Sequence, residues 1–314
     1  MKLTERPWWP WAKRAVGIAF MVLVIALLVK YARTVDWREV RQSVQELPRS
    51  VLFQAGLLCA ASHLLYSCFD LVGRRYTRHG LPVPQVMSVN FISYAFNLNF
   101  GSLVGGVAFR YRLYSRLGLA TATITRVLTL SMLTNWLGYL LLAGIVFTVA
   151  PLELPPNWKM DSDGLQLLGI ALLAAALAYL LLCGWSKKRS WTIRGHELIL
   201  PQPRMALLQL AISSANWMIM AAAVYILLQG KIAYPQVLSV LLIAAVAGVI
   251  THVPAGLGVL EAVFVALLSH KVSESQLLGA LLGYRALYYI GPLLAAALLY
   301  LAVEVKARRH APIA

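Results

Sequence analysis

Acidic residues are scarce in this chain: 12 Asp+Glu stand among 314 residues, and charged residues of all kinds make up only 13%. A soluble protein of this size would carry about a quarter charged residues, so a water-soluble domain is excluded first. Cysteine is scarcer still. Cys59, Cys68 and Cys183 all lie inside apolar runs without a CxxC spacing, which excludes a disulfide framework or cysteine metal site. The six histidines show no ligand spacing, so neither a metal nor any other cofactor is expected. HExxH, GxSxG and a nucleotide-binding loop are all missing.

What is present is apolar and basic: 60% hydrophobic residues, a mean hydropathy of +0.71, and 28 Lys+Arg for a net charge of +16. In a soluble protein that charge would suggest nucleic acid. Here the basic residues flank apolar runs, so no nucleic acid is expected; they read as topology signal and as attraction to anionic lipid. Runs long enough to approach a span of about 20 residues are Ala15–Val29, Val51–Val72, Gln85–Phe109, Ala122–Val149, Leu165–Cys183, Met205–Leu228, Val237–Leu268 and Leu277–Val303. Ala15–Val29 lacks a small-residue cleavage site after it and reads as an uncleaved anchor.

Arginines after the second and third runs, the basic stretch Lys187–Arg204 and the basic tail 304–314 predict a cytoplasmic side. The acidic Pro151–Gly164 lies opposite, which leaves both termini in the cytoplasm. The third run conflicts with a plain span, because Arg74, Arg75 and Arg78 precede it and Arg110, Arg112 and Arg116 follow it. Its second half is also polar and glycine-rich, with Asn97, Asn99, Gly101, Ser102, Gly105 and Gly106. A hairpin that enters, breaks near Asn99–Gly106 and returns resolves both facts. The seventh run repeats the form, with a break at THVPAGLG. Broken backbone at membrane depth survives only inside protein or beside a cavity, so both breaks are candidate functional centres.

The expectation is therefore an all-α polytopic membrane protein: six spanning helices plus two re-entrant hairpins. Residues 1–150 and 165–303 form two halves of inverted topology, the arrangement common in secondary transporters. Eight plain spans would satisfy hydropathy equally.

Chemistry concentrates at the second break. Pro254 stops the entering helix, and Gly256 and Gly258 permit the turn. The helix that restarts near Val259 aims unpaired N–H groups and a positive dipole end inward, which suits a phosphate. Glu261 either satisfies that dipole or pairs with a cation. Arg285, flanked by Tyr284, Tyr288 and Tyr289, is the expected partner and a substrate contact, with Tyr288 beside it. Arg126 is the corresponding arginine of the first half; snorkelling explains either equally well. Asn97 and Asn99 are candidate headgroup ligands, and Gly101, Gly105 and Gly106 candidate hinges. Three further readings are structural: Arg110 and Arg112 as headgroup-facing topology residues, Asp70 as a helix-end partner of Arg74, and the repeated Asn135-Trp136 and Asn216-Trp217 as helix–helix contacts. Ser190–Leu200 reads as a small hairpin.

The segment HVPAGLGVLEA, followed by the arginine of LLGYRALYY, resembles the motif of the flippase-like family, also called the lysylphosphatidylglycerol synthase transmembrane region. NFISYAFNLNF, RYRLYSRLG, TITRVLTLS, TNWLGYLLLAGI and ISSANWM extend the resemblance over nearly the whole chain, closest to stand-alone inner-membrane members. The resemblance implies a lipid-translocating module in the inner membrane, with Pro254, Gly256, Gly258, Glu261 and Arg285 on the family motif. Synthases of the family add a soluble transferase domain, whereas this sequence ends soon after its last run, so lysine transfer is not expected. The expected activity is movement of an anionic lipid, a phospholipid or a polyprenyl phosphate. The alternatives are a small-solute or ion transporter, an accessory lipid- or partner-binding protein, and a membrane-embedded lipid-modifying enzyme.

Overall fold

The computed structural model describes residues 22, 26, 29, 33, 38, 42, 45–150, 152, 154, 161–187, 190–193, 196–251 and 256–309, with backbone alone at 190–199 and 306–309. The contacts below lie within one compact unit, Ser43–Ala314; the described positions of the other, Met1–Gln42, are helical. Most of the expected anchor Ala15–Val29 and the whole of His252–Ala255, including the hinge residue Pro254, fall outside the described residues.

The fold is helical. A long first helix, α1 (Arg49–Thr77), steps at Cys68. Pro82 and Pro84 start α2 (Val83–Phe100), where missing N–H groups cost nothing. A π-helical segment, π1 (Ser102–Ala108), then runs into α3 (Phe109–Arg116). Next come α4 (Thr121–Val149) and α5 (Ser162–Trp185), the latter started by Asp161, whose carboxylate accepts from Gly164 N at 2.8 Å. The expected hairpin follows as β1 (Ser190–Ile193) and β2 (His196–Ile199), antiparallel with Ser190 opposite Ile199. The chain continues through α6 (Pro203–Leu227), α7 (Tyr234–Thr251), α8 (Val259–Leu268) and α9 (Glu274–Tyr284). A second π segment, π2 (Arg285–Ile290), leads into α10 (Gly291–Arg309).

Among the described residues six helices are long and apolar enough to cross a membrane: Arg49–Thr77, Thr121–Val149, Ser162–Trp185, Pro203–Leu227, Tyr234–Thr251 and Glu274–Val305. Five correspond to runs read as spans. The sixth, Tyr234–Thr251, is the entering arm of the second expected hairpin; at 18 residues it meets the span length by itself.

At the first break the chain folds back on itself as two helical arms. Gly101 turns at φ +84°, outside the regions open to most other residues. The returning arm lies so close that a Cβ on Gly105 would stand 2.0 Å from Asn97 N. Further along, Arg110 meets Asn90, so the arms run antiparallel. In the second break Gly256 and Gly258 take φ +54° and +78°, and α8 packs back on α7. Gly105 and Gly106 are thus a close-approach surface within π1, and the turn itself belongs to Gly101.

Two ion clusters, one buried and one part-buried, pin the first hairpin, and both correct the sequence reading. Arg110 does not face headgroups: its side chain is 4% exposed and pairs with Asp70, which is fully buried. Nε reaches Asp70 Oδ2 at 3.1 Å and Nη1 donates to Gly106 O at 3.0 Å, while Tyr114 OH donates to the same carboxylate at 2.8 Å. Asp70 is therefore held across the fold and is not a helix-end partner of Arg74, which donates to Leu81 O instead. Arg112 and Arg116 both grip Glu304 on α10, with Arg112 Nη2 at 3.2 Å and Arg116 Nη2 at 2.9 Å from Oε1. The burial of Arg110 and Arg112 arises because the hairpin folds its own basic flank inward.

Cysteines placed at Gly80 and Ser115 test whether this hairpin returns to its starting face, in a background with Cys59, Cys68 and Cys183 replaced. Both positions are exposed and bracket the hairpin. An impermeant maleimide should label both from the same side of the membrane. Labelling from opposite faces would restore eight plain spans.

Candidate functional site

The two breaks meet. A cavity of about 560 Å³ lies between them, lined by Asn97 through Leu103 from the first hairpin except Asn99, and by Gly248, Gly256, Val259 and Leu260 from the second. Helix α4 adds Asn135 and Trp136, α6 adds Trp217 and Met220, and Tyr66, Tyr94 and Tyr289 complete an aromatic wall. The described lining carries no charged side chain. Its polarity comes from asparagine, serine and tyrosine, and from the starts of two helical segments, π1 at Ser102 and α8 at Val259. The first N–H groups of a helix have no partner within it, so both segments turn donors and a positive end toward one space.

Glu261 and Arg285 are brought together as the sequence reading expects. Arg285 Nε and Nη2 fork onto the two carboxylate oxygens of Glu261, the Nη2 bond being 2.8 Å, and Nη2 also donates to Gly256 O at 2.8 Å. The Arg285 guanidinium lies 5.4 Å from the centre of the Tyr289 ring. The pair stands behind the cavity wall and clamps the carbonyl of the break. Its geometry is that of a brace on the α8 start.

Several expected contacts are placed elsewhere. Tyr288 is fully buried, and its hydroxyl lies 2.9 Å from both Ser62 Oγ and Tyr94 OH; its neighbour Tyr289 lines the cavity instead. Arg126 is exposed on α4 and does not line the cavity. Asn97 does line it. Asn99 is buried away from it, donating to Ala95 O at 2.8 Å and Tyr289 O at 3.3 Å. That second bond serves a carbonyl of π2, where wide helical turns put backbone groups out of register. Of the hinge residues, Gly101 lines the cavity.

The aromatic wall is what residue reasoning missed. The repeated Asn-Trp pairs were its visible signal. Asn216 does make the expected helix–helix bond, accepting from Ser62 Oγ at 2.7 Å, whereas Trp136, Trp217 and Asn135 face the cavity.

Comparison with known proteins places this architecture. The sequence profile of the lysylphosphatidylglycerol synthase TM region matches residues 14–296. The chain belongs to that family. Within it, the Escherichia coli (strain K12) inner membrane protein YbhN is 49% identical over 306 residues, covering 97% of this chain and 96% of YbhN. A protein of Synechocystis sp. described as uncharacterized is 32% identical over 302 residues, 95% of this chain and 94% of its own length. A phosphatidylglycerol lysyltransferase of Staphylococcus haemolyticus is 22% identical over 297 residues, which span 91% of this chain but 33% of that enzyme. This member of the lysylphosphatidylglycerol synthase transmembrane-region family is thus a multi-pass membrane protein similar along its length to an inner membrane protein.

Proposed function

We propose that this protein moves an anionic lipid, a phospholipid or polyprenyl phosphate, across the inner membrane. The observation that carries the reading is the meeting of two glycine-broken helix starts at one uncharged cavity. A phosphate entering it would be met by free backbone N–H groups and two dipole ends, with Asn97, Ser102 and Asn135 as side-chain donors. The aromatic rings suit the glycerol or sugar portion, and the acyl chains stay in the bilayer. Arg285 acts indirectly: by holding Glu261 and the Gly256 carbonyl it keeps the α8 start in place.

The two halves act as inverted repeats, each contributing one break, with both chain termini in the cytoplasm. The lysyltransferase relative is named for phosphatidylglycerol, and the part of it that this chain matches is a fraction of that enzyme, which supports a lipid-handling membrane module. Catalysis is the weaker reading, because the buried acids Asp70, Glu261 and Glu304 are all ion-paired and none lines the cavity. Without a nucleotide-binding loop, the driving force is a gradient or the lipid's own concentration difference.

Reconstitution into liposomes with headgroup-labelled lipids tests this. Anionic lipid should cross faster than in protein-free vesicles, and zwitterionic lipid should not. Flux of a trapped small solute, or chemical change of the lipid, would favour a solute carrier or an enzyme; neither flux nor change would leave a binding protein. Gly258→Leu is the matched variant. A leucine at φ +78° costs about 1–2 kcal/mol and displaces the α8 start, although open space surrounds the Cβ position. Transport should fall to background while membrane insertion is retained. A wild-type rate in that variant would take the second break out of the mechanism.

A further inference from the structure

Away from the central cavity, a groove of about 440 Å³ lies between the end of α1 and the start of α6. Its floor is apolar. Cys68, Leu71, Val72 and Arg75 line it from α1, spaced as one helical face, and Arg204, Leu208 and Ile212 line it from α6, spaced by four. The two helices run in opposite directions here, so the arginine on each wall stands at the same end. Below the arginines the floor extends seven or eight residues along each helix, about 11 Å at 1.5 Å per residue. That is the depth of the upper part of one acyl chain within one leaflet.

Arg75 and Arg204 are both exposed, and among the described side chains neither lies within ion-pair distance of a carboxylate. The neighbouring cations differ: Arg74 is bound to Leu81 O, Arg110 to Asp70, and Arg112 and Arg116 to Glu304. The fold supplies carboxylates for Arg110, Arg112 and Arg116 and a carbonyl for Arg74, whereas Arg75 and Arg204 stand together at the mouth of one apolar slot. Two guanidinium groups lining one groove with hydrocarbon-compatible walls match a phosphodiester on an acylated glycerol. The flanking charges assign this end to the cytoplasmic leaflet.

We propose that this groove is a binding site for one anionic phospholipid of the bilayer, with the phosphate between Arg75 and Arg204 and an acyl chain along Leu71, Val72, Leu208 and Ile212. The site is separate from the central cavity and stands whether or not the protein transports lipid. Its lipid is held in one leaflet, as a brace joining α1 to α6.

The test uses the full chain purified in detergent, with native mass spectrometry to count retained lipid and thermal unfolding as a second readout. Wild-type protein should retain phosphatidylglycerol over phosphatidylcholine of the same chains and should unfold at higher temperature with the former. Arg75→Gln/Arg204→Gln should lower phosphatidylglycerol retention about tenfold or more, as expected for the loss of two charge-assisted contacts, and should erase the extra thermal stability. Its phosphatidylcholine behaviour should stay as in wild type, which also shows that it folds. Arg78→Gln, an exposed neighbour outside the groove, should retain phosphatidylglycerol normally. Glycerol phosphate without acyl chains should give no stabilisation. Equal retention of both lipids by wild type, wild-type retention by the double variant, or an equal loss in Arg78→Gln would overturn the proposal. Stabilisation by glycerol phosphate alone would overturn it in favour of a soluble anion site.

Discussion

Asp70→Asn should destabilise the protein by about 3–5 kcal/mol, the usual cost of leaving one partner of a buried pair uncompensated. The side chains of Asp70 and Arg110 are 0% and 4% exposed, so no water is at hand to take over the lost bonds. Arg110 Nη2 also donates to Asn90 Oδ1, and Asn90 Nδ2 in turn donates to Tyr66 O at 2.7 Å. The loss should therefore loosen α1, both arms of the first hairpin and the cavity wall at Tyr66 together. Arg110→Lys should fail as well, since an ammonium cannot reproduce the forked contact. Asp70→Leu/Arg110→Met should regain much of the stability, because a packed apolar pair avoids the desolvation cost. Thermal unfolding in detergent measures all three. A mild loss in Asp70→Asn would mean that water reaches the cluster.

Glu261→Gln and Arg285→Gln should each lower stability toward the lower end of the same range, about 3 kcal/mol, because the Glu261 side chain is 14% exposed. The double variant should regain much of the loss. Transport should stay lost, because Arg285 also holds the Gly256 carbonyl and thereby the start of α8. Strictly additive losses would refute the coupling. Recovery of stability and transport together would reduce the pair to a local ion pair with no say in the position of the break.

These residues show where sequence reasoning succeeds and stops. The hairpin at Asn99–Gly106 was legible because glycine, asparagine and flanking arginines conflict with a plain span. The Glu261–Arg285 pair was legible because an intramembrane carboxylate demands a partner. The Asp70–Arg110 pair was not. Arg74 stood nearer in sequence, and only the folding back of the hairpin carries Arg110 past it to the carboxylate. Tyr288 and Tyr289 show the same limit at finer scale: neighbours on a helix point about 100° apart, so one enters the core and the other the cavity wall, and hydropathy does not say which. The aromatic lining escaped because tryptophans read as packing until two breaks are known to face them.

The grip of Glu304 on Arg112 and Arg116 has a consequence for biogenesis. The ribosome delivers the arginines about 190 residues before their acid, and Ser62 likewise waits for Asn216 and Tyr288. The first hairpin can therefore form early only its Asp70–Arg110 cluster, while Arg112 and Arg116 wait for their carboxylate through most of synthesis. The fastening of α3 to α10 is thus the last part of this hairpin's packing to become possible, because its acid lies near the end of the last described helix.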